Sequence, residues 1–173
     1  SAGAAKAMDP KAWDECRTSN PPSDGLLCCG VKFAPDGSRA TLAVCLRELG
    51  DGPRRRPHVE VVRTSGMGSG TRWIADWLDG RRDRVASVAI DGMVGVTPLV
   101  NKLEELRFPK AAVKADGLRM LCPSVSAFAD AVNERAVTHF GQAALDAAAK
   151  LCNRRKAGAD GIGFEDSEDG QGD

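Results

Sequence analysis

The strongest constraint on the fold is a block of strand periodicity, segmented only by turn chemistry, that gives way to helix periodicity. Leu26 to Ala34 is a short apolar run, Pro35-Asp36-Gly37-Ser38 is turn chemistry, and along Arg39 to Glu48 the residues Ala40, Leu42, Val44 and Leu46 share one side. His58 to Thr64 is a third run, in which Val59, Val61 and Arg63 alternate against His58, Glu60 and Val62. Short links between consecutive strands imply an antiparallel meander. Thr71 then caps a helix with Ile74, Trp77 and Leu78 on one stripe, and Arg84 to Ile90 reads as a fourth strand ending at Asp91-Gly92. Thr97 is placed to N-cap a helix with Pro98 at its first position and Leu99, Leu103 and Leu106 inward. A further strand is expected near Ala111 to Ala115. Asp116 to Arg135 has helical composition that Pro123 should interrupt or restart, and Gln142 to Cys152 reads as a helix with Ala144, Leu145, Ala148 and Leu151 inward. Beyond it the chain has five glycines and no strong period.

Strands followed by helix-strand-helix units make a mixed α/β sheet, antiparallel over its first three strands and then β-α-β-α, with helices expected on both faces. The ribonuclease H-like fold has this order, as do other mixed sheets, and order alone does not give function. With 173 residues the chain fits one ordinary domain, which excludes a long modular enzyme. Residues 1–25 read as a linker with one short helix, Asp9 as its N-cap and Pro10 in its first turn, and Pro21-Pro22 as a breaker; residues 26–173 read as the domain proper. Trp13 in this linker is expected to pack sideways, outside the central core. No apolar run approaches the roughly 20 residues that span a bilayer, and no secretory leader is visible.

Lys plus Arg is 24 and Asp plus Glu is 24, yet residues 157–173 hold six of the acids and no base, so residues 1–156 carry a formal +6. A basic body ending in an acidic tail is a footprint that attracts phosphate backbones. The basic runs are Arg54-Arg55-Arg56, Arg81-Arg82-Asp83-Arg84 and Arg154-Arg155-Lys156. Taken singly, such runs are more often solvated loops. The six cysteines form no C-x-x-C pair, so they read as small buried apolar residues of a reduced, intracellular protein.

Asp91 ends a strand just before a glycine, where sheets of this class carry their sites. Asp36 stands in the turn leaving the first strand, and acids at two such points can share Mg²⁺, which takes oxygen ligands and needs one or two from protein. A two-ion centre needs three or four acids, and Asp173 in the acidic tail is a candidate third. The competing account of Asp36, and an equal alternative for Asp91-Gly92, is an ordinary turn former, and Glu60 either faces solvent or points toward the same cluster. Gly66-Met67-Gly68-Ser69-Gly70 imitates a phosphate-cradling loop but lacks the Lys-Ser/Thr ending, which leaves no visible ATP site. His58 and His139 are the only histidines, and with no G-x-S-x-G elbow a Ser-His-Asp hydrolase is disfavoured.

Several strings, in this order and spacing, resemble the C-terminal nuclease domain of phage and prophage terminase large subunits, especially actinobacterial ones. They are Cys29-Gly-Val-Lys-Phe-Ala-Pro-Asp-Gly37, His58-Val-Glu-Val-Val62, the run from Ser65 to Trp73, Ile90-Asp-Gly92, Thr138-His-Phe-Gly-Gln142 and Leu145-Asp146. The similarity spans about residues 13–173, and the Trp13 region resembles the segment that joins the terminase ATPase to its nuclease. The resemblance implies a ribonuclease H-like endonuclease that cuts concatemeric viral DNA during genome packaging, with two Mg²⁺ or Mn²⁺ ions held by acids. It implies double-stranded DNA, the terminase ATPase domain, the small terminase subunit and the portal as partners, in the cytoplasm of a bacterial host. Asp91 matches the family's acid at the end of the fourth strand, and Asp173 the acid before the closing helix, with Asp169 and Asp166 as alternatives. Arg54, Arg55, Arg56, Arg154, Arg155 and Lys156 are the expected grip on the DNA backbone.

One departure bears on activity. Where many terminase nucleases carry Asp in the first strand, this chain has Lys32. Either Asp36 substitutes from the turn, or metal affinity is low and cleavage weak. Lys32 therefore favours a rival reading, a noncatalytic DNA-binding or assembly module on the nuclease fold. A resolvase or recombinase on the same fold is a third.

Overall fold

Strict alternation in the first strand sets the central sheet. The computed structural model describes residues 5–50, 52–53, 55–157 and 161–165, with 118–123, 155–157 and 161–165 in backbone only. In β1 (Leu26–Phe33) the residues Leu27, Cys29, Val31 and Phe33 are buried while their neighbours are half-buried, so one face of the strand enters a core. It pairs antiparallel with β2 (Arg39–Arg47) and parallel with β4 (Val85–Asp91). With β3 (His58–Gly66) and the two-residue β5 (Val113–Lys114) the sheet order is β3-β2-β1-β4-β5. The hydroxyls of Thr41 and Thr64 meet at 2.9 Å and Met67 N donates to Ser38 O, an opposed register that makes β3 antiparallel to β2. The mixed five-stranded sheet expected from the sequence is therefore present, in the order of a ribonuclease H-like fold.

The chain divides into two compact units: a sheet unit, Pro22–Arg55 with Val61–Gly117, and a helical unit, Ser1–Pro21 with Arg56–Glu60 and Leu118–Asp173. In the sheet unit, α2 (Arg72–Asp79) and α3 (Val96–Glu105) lay Ile74, Ala75, Leu78, Leu99 and Leu103 on the β1, β2 and β4 side chains. These are the positions at which the helix period was legible. Thr97, expected as the N-cap, is instead the second residue of α3, and Gly95 holds the cap. A Cβ at Gly95 would lie 2.1 Å from the Phe33 ring, so only glycine lets the helix start this close to β1.

The helical unit has its own core. In α1 (Pro10–Glu15), Asp9 Oδ1 accepts from Lys11 N at 3.0 Å with proline leading the helix, as the sequence implies. Trp13, however, is fully buried with Val132, Val137 and Ala149, so it lies within a core and not beside one. α4 (Leu118–Asn133) runs unbroken past Pro123, contrary to the expected interruption. Its later turns bury Val125 and Val132, and packing of this kind can offset the roughly 3 kcal/mol that an interior proline costs. α5 (Ala143–Leu151) follows, with Ala149 buried, Leu145, Ala148 and Leu151 half-buried and Ala144 exposed. The remainder, for which the sequence shows no strong period, holds a hairpin, β6 (Asn153–Ala157) with β7 (Gly161–Glu165), and Lys6 bridges to Asn153 at its edge. No helix among the described residues is long and apolar enough to cross a membrane.

Candidate functional site

β1 and β4 run parallel, so their carboxyl ends lie side by side, and the register pairs Lys32 directly with Asp91. Both follow the face opposite the buried Val31, Phe33 and Ile90. Lys32 Nζ donates to Asp91 Oδ2 at 2.6 Å, with side chains 24% and 19% exposed. Ion pairs this accessible contribute on the order of 1 kcal/mol, so the pair's interest is its position. Asp91 is followed by Gly92 at φ 109°, where a Cβ would meet Phe33 O at 2.7 Å. The chain thus turns away tightly at the end of the strand, and the loop beyond carries Met93 and Val94 exposed.

Asp36 is fully exposed in the β1–β2 turn, where Gly37 N donates to Ala34 O and Asp36 Oδ1 accepts from Ser38 N at 2.9 Å. Hydrogen bonds from the Ser38 side chain and backbone hold its carboxyl below the usual carboxylate range. That is the work of a turn former. Asp166, Asp169 and Asp173 lie outside the described residues.

Glu60 Oε1 receives His58 Nε2 at 2.9 Å, and His58 Nδ1 meets Thr138 Oγ1 at 2.8 Å, so this acid is committed to a buried histidine of the helical unit. His139 stacks on Trp13 at 3.9 Å between ring centroids. Its Nδ1 accepts from Gly141 N at 3.1 Å, so the proton is on Nε2, which donates to Trp13 O at 2.7 Å. Asp146 Oδ1, 3.7 Å from Nδ1, instead accepts from Trp13 Nε1 at 2.8 Å. Both histidines are packing residues with their nitrogens engaged. The Gly66–Gly70 loop forms a 3₁₀ turn, Met67–Ser69, that closes on the β1–β2 turn through Met67 N and Ser38 O.

The basic runs have different fates. Arg81 lies over Trp77 at 4.1 Å and Arg84 Nε donates to Gly25 O at 3.1 Å. Arg82 binds Asp79, Leu106 O and Arg107 O. This run is internal glue of the sheet unit. Of the expected DNA grip, Arg55 pairs with Glu48 at 3.0 Å in the sheet unit. Arg56 is exposed in the helical unit and donates to Arg135 O at 3.0 Å. Arg154 is exposed on β6; Arg155 and Lys156 follow it there in backbone, and Arg54 lies outside the described residues. Lys6 and Arg135, single cations outside any run, lie near Arg154 in the helical unit.

A two-ion centre does not fit the described donors. Asp91 is one carboxylate with an ammonium 2.6 Å away, and among the described residues no three His, Cys, Asp or Glu gather as a metal site.

No protein-family model matches the sequence, and no curated protein is recognisably similar to it. Solved structures do match. The HK97 bacteriophage large terminase superposes with a TM-score of 0.66 at 11% identity over 98% of this chain, which spans 41% of that protein. The large terminase nuclease of thermophilic phage G20c matches 94% of this chain and 89% of its own, with a TM-score of 0.57 and 11% identity. The same nuclease with bound magnesium gives 0.58 at 10% identity. Likeness at such identity is one of fold, and it takes in both units: the chain has the ribonuclease H-like fold of phage large-terminase nuclease domains.

Proposed function

We propose that this chain is the nuclease domain of a phage terminase large subunit, a metal-dependent endonuclease that cuts concatemeric double-stranded DNA during genome packaging. The observation that carries the reading is the match of nearly the whole chain to terminase nucleases, one of them holding magnesium, with Asp91 at the carboxyl end of β4 beside β1. On this reading residues 1–25 arrive from an ATPase domain and 26–173 form the nuclease, working with the small subunit and portal in the host cytoplasm. Asp91 would be a ligand of Mg²⁺ or Mn²⁺, with Asp36 and Asp173 as the other candidates.

One observation favours a second reading, a nuclease fold that holds DNA without cutting it. Lys32 supplies at Asp91 the positive charge that an ion would otherwise supply. Plasmid nicking with Mn²⁺ separates the two. If the parent nicks and Asp91→Ala is silent, the endonuclease reading holds. If the parent is silent and Lys32→Asp gains both nicking and calorimetric Mn²⁺ binding, the holding reading does. A parent and an Asp91→Ala variant that nick equally fast would remove Asp91 from the site.

A further inference from the structure

Two basic runs about a hundred residues apart in sequence meet at one turn of the helical unit. The helix α4 ends in a cap at Asn133–Ala136, where Arg135 N donates to Val132 O and Ala136 N to Ala131 O. Arg56, from the first run, seats its guanidinium on Arg135 O. Arg154, from the second, lines a cleft of about 500 Å³ together with Lys6, Asp9, Asn133 and Arg135. The backbone fixes this meeting, since Arg154 N donates to Ala5 O at 2.8 Å and Lys6 bridges to Asn153, so the N-terminal segment lies along the edge of β6.

Among the described residues the charges do not cancel. Arg135 is held by Glu15, with Nε to Oε2 at 2.8 Å, and Asp9 is tied to the first turn of α1 through Lys11 N. Lys6 Nζ donates to Leu151 O at 3.0 Å, a carbonyl that leaves its full charge in place. Arg154 has no side-chain partner among the described residues. Among the described residues the cleft is lined by three cations, Lys6, Arg135 and Arg154, and one acid, Asp9, with Arg56 on the Arg135 carbonyl and Glu15 on its guanidinium. A concave surface with surplus positive charge, guanidinium groups and an Asn amide suits a phosphodiester, whose oxygens accept from all of these.

We propose that this cleft binds the backbone phosphates of double-stranded DNA, with Lys6, Arg135 and Arg154 on the phosphates and Arg56 flanking them. The proposal rests on the DNA-handling reading above and adds the site. It takes only part of each basic run and recruits two residues that belong to neither.

The test is binding of a labelled 25-base-pair duplex by the full chain, without divalent ions, across a salt series. Each phosphate contact contributes a slope of about −0.9 in log affinity against log salt. The Lys6→Gln/Arg154→Gln double variant is expected to make the slope shallower by about 2 and to bind at least tenfold more weakly at 0.1 M salt. Arg154→Gln alone is expected to remove about half of that slope change, and matching urea midpoints check that both variants are folded. A parent that binds duplex with a steep slope, and variants that bind identically, overturn the cleft while leaving the DNA reading standing. A parent that binds no duplex overturns both. Displacement of the duplex by millimolar dTMP at constant ionic strength would make the cleft a nucleotide pocket and overturn the duplex assignment.

Discussion

The two units terminate a helix with the same device and use it to different ends. In the sheet unit α3 ends with Arg107 at φ 54°, with Arg107 N on Glu104 O and Phe108 N on Leu103 O; in the helical unit α4 ends with Arg135 at φ 56° and the equivalent bonds. Each cap carbonyl is then taken by an upstream arginine, Arg107 O by Arg82 and Arg135 O by Arg56. At the first cap the visiting arginine is neutralised by Asp79, also holds Leu106 O and lies 5.9 Å from the Phe108 ring. At the second, Lys6, Arg135 and Arg154 line a cleft that holds one acid, Asp9, among the described residues. Each run carries three arginines, Arg54-Arg55-Arg56 and Arg81-Arg82-Asp83-Arg84. On the proposed reading, what distinguishes structural glue from a binding surface is the number of protein partners each cation already has.

Buried thiols in the two cores feel different surroundings. Cys29, in the sheet unit, is pushed up to about 12 by burial, with the neighbouring Cys28 adding to the rise and Arg81 opposing it. Cys16, in the helical unit, is raised by burial but opposed by both Arg56 and Arg135. A thiol with a raised folded pKa stays protonated in the native state after its unfolded counterpart ionises, so stability falls as pH rises from about 9. For Cys29 the loss accumulates between pH 9 and 12 and reaches at most about 4 kcal/mol at its end. Urea melts across this range should show the alkaline slope flattened strongly by Cys29→Ala and less by Cys16→Ala. Equal flattening would mean that burial and the neighbouring arginines do not set the two thiols apart.

The visiting arginines sharpen the contrast next. Arg82→Ala removes charge-assisted bonds to Asp79, Leu106 O and Arg107 O together, and is expected to cost about 2 kcal/mol of stability while leaving duplex affinity unchanged. Arg56→Ala removes one exposed bond, costs under about 1 kcal/mol, and weakens duplex binding. Urea midpoints and the salt series read both; the reverse assignment of effects would erase the distinction between the two runs.

How much of this was legible in the sequence follows the range of the interactions. The strands and helices of the sheet unit could be read because period 2 and period 3.6 are local properties, and Leu42, Ile74 and Leu99 fell on the faces expected of them. Asp91 was recognisable as a strand-end acid for the same reason. That Lys32 is its partner depends on the register of β1 against β4, more than fifty residues away, which no local pattern encodes. Pro123 is not decided by local propensity alone, since burial of Val125 and Val132 in the later turns of α4 can offset its cost. The β6–β7 hairpin was missed because Arg154-Arg155-Lys156 reads as a solvated loop and glycines dilute the alternation of Ile162 and Phe164. Lys6 and Arg135 were invisible because isolated cations gain meaning only from what the fold places beside them.

The caps themselves supply the finest test. A residue at this position adopts the left-handed conformation that glycine takes without penalty, and an L-residue there costs roughly 1 kcal/mol. Arg107→Gly relieves that strain, and no side-chain bond or ion pair of Arg107 is seen among the described residues, so it is expected to stabilise the chain by up to about 1 kcal/mol with duplex affinity unchanged. Arg135→Gly relieves the same strain but gives up the Glu15 pair, whose exposed geometry contributes about 0–1 kcal/mol, so the stability change should be near zero. It also leaves Glu15 without its cation beside the cleft, so duplex affinity should fall although the fold is unharmed. Paired urea and duplex titrations of the two variants decide whether arginine stands at the second cap for the helix or for the phosphate: equal stabilisation and equal duplex affinity in both would assign it to neither.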